Sequence, residues 1–186
     1  MFLRALRGLE LEGSELRRPK PLLLLTYLTL EGTQSRRHLG ELFWREAANP
    51  LGSLSMALTQ LRKAAPEAIS ADAERVEARV TSDARELLRA AQAGDSARAL
   101  ALYRGPFLDG IHLRGWGVEL EEWIHATREL LAGQVRTLLL RRAELEAAGR
   151  DLTEAVRLAE RAYTLAGAPI LEPDEFERLH ILFRAG

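Results

Sequence analysis

The sequence predicts a mainly α-helical fold whose small amount of β-structure lies within the first 80 residues. Two observations predict it. Residues 1–80 have the patterns of short strands, three helices and a β-hairpin, in that order. Residues 83–186 have helical patterns alone, separated at breaks rich in glycine and proline. We therefore expect two domains, one over residues 1–80 and one over residues 83–186.

The chain begins with two predicted strands and a helix. Residues 2–7 and 9–12 alternate apolar and charged side chains, as half-buried strands do, and glycines punctuate them. Pro21 suits the first turn of a helix and Gly32 suits its end. A first helix is therefore expected over about residues 21–31.

Two further helices and a hairpin follow. Ser35 can cap a second helix over residues 36–44, and a break at Asn49-Pro50 precedes a third helix over about residues 51–65. Residues 69–80 alternate as a hairpin would, with a turn near Asp72 that lacks glycine. The order helix, helix, helix, hairpin is that of a winged helix-turn-helix, whose third helix is shaped to enter the DNA major groove.

The sequence of the second half of the chain predicts helices that pack in pairs. A weak repeat relates residues 94–100 to residues 150–156, with a small residue four positions after an aspartate in each. Small residues at this spacing let neighbouring helices approach closely, as in helix-pair solenoids. Gly133 lies inside the longest expected helix, where a kink or a break is the alternative to a continuous helix. The expected helices cover residues 83–93, 96–103, 119–148, 152–165 and 173–184.

Composition excludes several classes of protein. The chain has 186 residues, no cysteine and a net charge of −1, so disulfides, thiolate chemistry and a uniformly basic surface are excluded. The longest apolar run, residues 22–30, is too short to span a bilayer, and the start of the chain does not resemble a secretory signal. We expect a cytoplasmic protein without a membrane partner.

The third predicted helix has one apolar and one polar face. Leu54, Ala57, Leu58 and Leu61 form a stripe that should be buried. Glutamine can bond the adenine edge, serine and threonine can bond a base or a phosphate, and methionine can contact a thymine methyl. An ordinary amphipathic helix with a polar outer face explains the pattern equally well. Gly52, Ser53, Met56, Thr59, Gln60 and Lys63 lie on the outer face, flanked by Ser55 and Arg62.

Cations outside this helix add candidate DNA contacts. Arg36 and Arg37 begin the second helix, where free N–H groups already favour an anion such as phosphate. Arg75 and Arg79 on the hairpin could reach a minor groove, although edge-strand charges against aggregation explain them as well. Arg17, Arg18 and Lys20 lie between the sheet and the first helix; they could touch the DNA backbone, but solvated side chains are the favoured interpretation. The predicted DNA contacts are Arg36, Arg37, Ser53, Met56, Thr59, Gln60, Arg62, Lys63, Arg75 and Arg79.

Enzyme chemistry has no visible basis in the sequence. The four histidines are scattered, with no pair at metal-ligand spacing, and no glycine-rich phosphate loop follows a strand. Glu121 and Glu122 are adjacent on a predicted helix, so their side chains diverge. We expect no catalytic residue, no metal and no cofactor.

The most distinctive block of the chain is residues 101–110 (ALYRGPFLDG), and it is accompanied by residues 39–44 (LGELFW), Leu61-Arg62-Lys63, Trp123 with Glu129, and residues 147–162. Together these blocks resemble the antibiotic regulatory proteins of actinobacteria and their relatives, which join a winged helix to a bacterial transcriptional activator domain. Residues 101–110 resemble a signature of the activator domain, and residues 147–162 resemble a tetratricopeptide-like helix pair.

The resemblance implies a transcription regulator without enzymatic activity. Residues 51–63 would bind double-stranded DNA in the major groove, with a wing over residues 69–80. The all-α domain would mediate homodimerisation on tandem sites, or contact RNA polymerase or another protein. The sequence departs from the family at Ser55 and Gln60, where relatives often carry a basic residue. The alternative hypothesis is a protein-interaction module, built on a winged helix and helical repeats, that binds no DNA.

Overall fold

The computed structural model describes residues 1–112 and 115–186, and within them the chain is mainly helical with two small sheets. The helices are α1 (Pro19–Glu31), α2 (Arg36–Trp44), α3 (Pro50–Ala64), α4 (Asp83–Gln92), α5 (Ser96–Leu102), α6 (Val118–Ala148), α7 (Leu152–Tyr163) and α8 (Pro173–Ala185). The strands are β1 (Phe2–Arg4), β2 (Glu10–Leu11), β3 (Gln34–Ser35), β4 (Ile69–Ala71), β5 (Arg75–Ala78) and β6 (Thr81–Ser82).

The helices confirm the sequence pattern to within about two residues at each end. The first helix begins at Pro19 rather than Pro21, and α7 ends at Tyr163 rather than at Leu165. The expected cap at Ser35 is confirmed, because its side chain accepts a hydrogen bond from the backbone N–H of His38 (3.1 Å). The break considered at Gly133 is wrong, since α6 runs through that residue as one 31-residue helix.

The two sheets bring distant parts of the chain together. One has the strand order β2-β1-β6, in which β6 runs parallel to β1, and the other has the order β3-β5-β4. The hairpin of β4 and β5 confirms the expected pairing over residues 69–80. Strands β3 and β6 were not expected, because two-residue strands are too short to show an alternating pattern.

The core extends without interruption from the first half of the chain into the second. The Trp123 ring of α6 packs edge-on against Tyr27 of α1 (4.9 Å between ring centroids) and against Phe107 (5.8 Å). Its indole N–H donates to the Glu31 carboxylate (2.8 Å). The backbone N–H of Leu108 donates to the Ala5 carbonyl (2.8 Å). Edge-on aromatic contacts and hydrogen bonds therefore hold the first half of the chain directly against the second.

The buried carboxylate of Asp83 also joins the two segments. Its oxygens accept hydrogen bonds from the backbone N–H groups of Ala5 (2.8 Å) and Leu6 (3.1 Å), which follow β1, and from that of Ala84 (2.8 Å) in α4. Burial raises the pKa of this carboxyl group, whereas the three N–H groups act to lower it. The contact fixes the start of α4 against the end of the first strand.

The internal repeat corresponds to two similar helix starts. Asp95 caps α5 by accepting from the N–H of Arg98 (3.0 Å), and Asp151 caps α7 by accepting from the N–H of Glu154 (3.0 Å). Ala99 and Ala155, each four residues after its aspartate, are both buried. The small residues therefore lie at packed positions, where α5 contacts α4 and α7 contacts α6.

None of the helices in the described part of the chain combines the length and the apolar character that a bilayer crossing requires. The longest, α6, is interrupted throughout by charged side chains.

Candidate nucleic-acid interface

Local sequence determines where α3 begins and ends. The side chain of Asn49 accepts a hydrogen bond from the backbone N–H of Gly52 (2.8 Å), and Pro50 occupies the first turn. The helix stops at Ala64, two residues before Pro66. Its buried side chains are Leu54, Ala57, Leu58 and Leu61, as the sequence pattern predicts.

The opposite side of α3, which we call the α3 outer face, consists of Ser53, Ser55, Met56, Thr59, Gln60 and Lys63. It is open to solvent: the Met56 side chain is 65% exposed, Thr59 and Lys63 are exposed, and Gln60 is half-buried. The main contacts of α3 are with α1, α2 and β4, on its other side. The helices of residues 83–186 leave this surface accessible.

Two hydroxyl groups on the α3 outer face donate within the helix. The Ser55 hydroxyl donates to the Leu51 carbonyl (2.8 Å), and the Thr59 hydroxyl donates to the Ser55 carbonyl (2.9 Å). The Thr59 hydroxyl oxygen still has acceptor capacity, whereas the Ser55 oxygen already accepts from Arg36 (2.8 Å). Thr59 is therefore suited to accept from a base amino group or a water molecule.

Two arginines that border the α3 outer face are hydrogen-bonded to the hairpin region. Arg36 donates to the Ser55 hydroxyl (2.8 Å) and to the carbonyl of Asp72 (3.4 Å). Arg62 donates to the carbonyl of Ala71 (2.8 Å). The Arg62 bond joins α3 to the hairpin, and Arg36 at the start of α2 bridges α3 and the hairpin turn. Sequence reasoning missed this structural role because it depends on tertiary neighbours.

Arg37 is exposed and forms an ion pair with Glu41 one turn further along α2 (2.9 Å). Such exposed pairs contribute little to stability. The carboxylate nevertheless offsets the positive charge that Arg37 would offer to a phosphate. The start of α2 is therefore less basic than its sequence indicates.

The hairpin turn is closed by a side chain, which explains how it forms without glycine. The Asp72 carboxylate accepts hydrogen bonds from the backbone N–H groups of Glu74 and Arg75, both at 2.8 Å. These two bonds lower the pKa of Asp72. Asp72 and Glu74 place negative charge at the tip of the hairpin, whereas Arg75 and Arg79 lie further along and are exposed.

A basic edge at the start of α1 borders the α3 outer face. Arg18 and Lys20 line one groove together with Met56 and Gln60, and Arg18 lines a second groove together with Gln60 and Lys63. Lys20 lies 5.5 Å from the centre of the Trp44 ring, and burial lowers its pKa. Sequence reasoning treated these cations as solvated.

A signal for this edge was present in the sequence. Arg18 and Lys20 flank the first residue of a helix that carries no acidic side chain in its first turn. Cations at a helix N-terminus oppose the helix dipole, so a ligand anion there would relieve an unfavourable arrangement. The same unfavourable placement of cations occurs at Arg36 and Arg37 at the start of α2 and at Arg18 and Lys20 at the start of α1.

Comparison with protein-family models finds no match to this chain, and comparison with curated proteins finds none either.

Proposed function

We propose that this protein is a DNA-binding transcription regulator of the winged helix-turn-helix class, which inserts the α3 outer face into the major groove. The observation that carries the proposal is the open, polar and nearly uncharged outer face of a capped 15-residue helix, next to a basic edge. The major groove of B-DNA is about 12 Å wide, and an α-helix with its side chains is about 10–12 Å across.

The arrangement around α3 supports this class of fold. Helix α2 packs against α3, the hairpin of β4 and β5 follows α3 directly, and β3 at the start of α2 pairs with β5. In winged helix-turn-helix proteins the second helix of the motif reads base edges while neighbouring elements contact the backbone. By analogy with that class, we expect α3 to read bases and the elements that border it to supply the phosphate contacts.

Charge indicates which residues meet the phosphates. Arg18 and Lys20 border the α3 outer face and Lys63 lies at its C-terminal end, while Arg36 and Arg62 are bonded to the hairpin and Arg37 to Glu41. We expect the first three to carry most of the phosphate contact. Because so few residues contact phosphates, we expect non-specific binding to be weak. Most of the affinity for a preferred duplex should then come from contacts with its bases.

Salt dependence tests the proposal directly. The logarithm of the duplex binding constant should fall linearly with the logarithm of the salt concentration, with a slope near −0.9 for each phosphate contact. Arg18→Ala and Lys63→Ala should each weaken binding to every duplex and make that slope shallower by about one. The measurement is fluorescence anisotropy of labelled duplex across a salt series.

The matched control for these variants is Arg141→Ala, which removes an exposed arginine from α6, distant in sequence from α3. It should leave both affinity and slope unchanged. A slope near zero for the wild-type chain, or equal slopes for all four proteins, would contradict the assignment of phosphate contacts.

A protein-interaction module is the second candidate, and the hairpin tip favours it. Asp72 and Glu74 would repel phosphates if the hairpin were used as a wing. In that case a protein with a basic surface would be the partner. Absence of any duplex binding at low salt would select this alternative.

The helical half of the chain is proposed to bind protein, either a second copy or part of the transcription machinery such as RNA polymerase. Tyr163, Phe176, Ile181 and Phe183 near the end of the chain all expose large apolar side chains. Exposed apolar surface of this kind is characteristic of protein contacts.

A further inference from the structure

We infer that the α3 outer face selects A·T base pairs, with Gln60 bonding an adenine and Met56 contacting a thymine methyl about two base pairs away. The inference rests on the proposed function and specifies its ligand. Three features carry it: the engagement of the flanking arginines, the position of Gln60 and the exposure of Met56.

Guanine is most often read by arginine or lysine, which donates to its O6 and N7 atoms. The arginines that flank this face are occupied, because Arg36 donates to Ser55 and Asp72 while Arg62 donates to Ala71. Turning either one toward a base would give up these bonds. Lys63 lies at the end of α3, beside Arg18, where phosphate contact is expected. The centre of the face is therefore poor in guanine-reading groups.

Gln60 occupies the centre of the surface. It lines the groove with Lys20 and Met56, the groove with Arg18 and Lys63, and the shallow depression with Ser55 and Thr59. Gln60 is therefore shared by all three depressions, and a base edge that enters any of them approaches this residue. Glutamine pairs with adenine by donating to N7 and accepting from the N6 amino group.

Met56 provides the apolar part of the surface. Its side chain is 65% exposed and shares the shallow depression with Gln60 one turn later. Thymine is the base with a methyl group in the major groove, and an exposed thioether side chain gains by covering it. Removal of one buried methyl group should cost about fourfold in affinity.

The helix rise sets the spacing of the two contacts. Four residues of α-helix advance about 6 Å, and one base step along the duplex is about 3.4 Å. Met56 and Gln60 are thus matched to positions about two base pairs apart when α3 lies along the groove. The preferred sequence should contain a thymine and an adenine contact at that separation.

Selection followed by base analogues tests the inference. Duplexes with a randomised core are selected with the full chain and sequenced, and each A·T position of the preferred duplex is then replaced. Uracil removes the thymine methyl, and 7-deazaadenine removes the N7 acceptor without disturbing base pairing. Affinities are measured for wild type, Met56→Ala and Gln60→Ala, with Leu145→Ala and Gln134→Ala, exposed on α6, as controls.

We expect 7-deazaadenine at one position to weaken wild-type binding about tenfold and to leave Gln60→Ala unaffected. Uracil about two base pairs away should weaken wild-type binding about fourfold and leave Met56→Ala unaffected. The controls should respond to both analogues as wild type does.

Two failures are distinguishable. If no duplex is retained even at low salt, the proposed function falls, and the inference with it. If duplexes are bound but the preferred sequence has G·C pairs at the contacted positions, only the inference is overturned. The same holds if both variants keep the wild-type response to the analogues.

Discussion

Replacing Thr59 with glutamate should lower duplex affinity at least about 100-fold while the free energy of unfolding stays nearly unchanged. Thr59 lies on the α3 outer face, is exposed, and its hydroxyl donates within the helix to the Ser55 carbonyl. A carboxylate at this position would meet both the phosphates and the base acceptors of the groove, and juxtaposed like charges cost several kcal/mol. Anisotropy with the selected duplex measures the affinity, and urea denaturation measures the stability.

The control for this substitution carries the same charge change elsewhere. Gln134→Glu places a carboxylate at an exposed position of α6, and it should leave duplex affinity within about twofold of wild type. Equal loss of affinity in both variants would mean that net charge alone matters. If the Thr59→Glu variant kept the wild-type affinity, α3 would not be part of the DNA interface.

Replacing Asp83 with alanine should destabilise the fold by about 2–4 kcal/mol, because two buried N–H groups at Ala5 and Leu6 lose their acceptor. The start of α4 also loses the bond from the N–H of Ala84. The energy required to bury the carboxylate, which raises its pKa, offsets part of the gain from these bonds. Denaturant unfolding followed by circular dichroism measures the change.

Asp95→Ala is the matched comparison for this prediction. Asp95 also accepts from a backbone N–H at the start of a helix, but it is exposed and serves only its own helix. Its loss should cost about 1 kcal/mol. If Asp83→Ala were no more destabilising than Asp95→Ala, the contact between β1 and α4 would have no special role.

Features set by neighbouring residues in the sequence could be predicted. The helix bounds followed from apolar spacing, and the cap at Ser35 was expected because it is a local side-chain-to-backbone bond. The caps at Asp95 and Asp151 were not predicted, although they are bonds of the same local kind. The buried stripe of α3 followed from helical periodicity alone. These features require no knowledge of what the helices pack against.

Features set by tertiary contacts could not be predicted. Strands β3 and β6 exist because β5 and β1 offer them partners, and two residues carry no pattern of their own. The hydrogen bonds of Arg36 and Arg62 depend on where the hairpin lies relative to α3. An arginine in a sequence therefore cannot be assigned to DNA until its protein partners are known.

The basic edge at the start of α1 also depends on tertiary contacts, but here they add candidate DNA contacts that the sequence pattern did not favour. Arg18 and Lys20 are distant from Gln60 in the sequence, and they become neighbours only because α1 packs beside α3. The assignment of DNA contacts by residue stays a prediction. With the structure, we expect phosphate contacts at the start of α1 and the end of α3, where the sequence pattern favoured the start of α2 and the hairpin.

The most direct test of the central claim, that the α3 outer face reads DNA sequence, uses the genome of the source organism. Sheared genomic DNA is passed over immobilised wild-type chain and over Thr59→Glu near physiological salt, and the retained fragments are sequenced. We predict that wild type enriches a small set of fragments that share a short motif, and that Thr59→Glu enriches none of them. Equal enrichment by both proteins, or no enrichment by wild type, would contradict the claim.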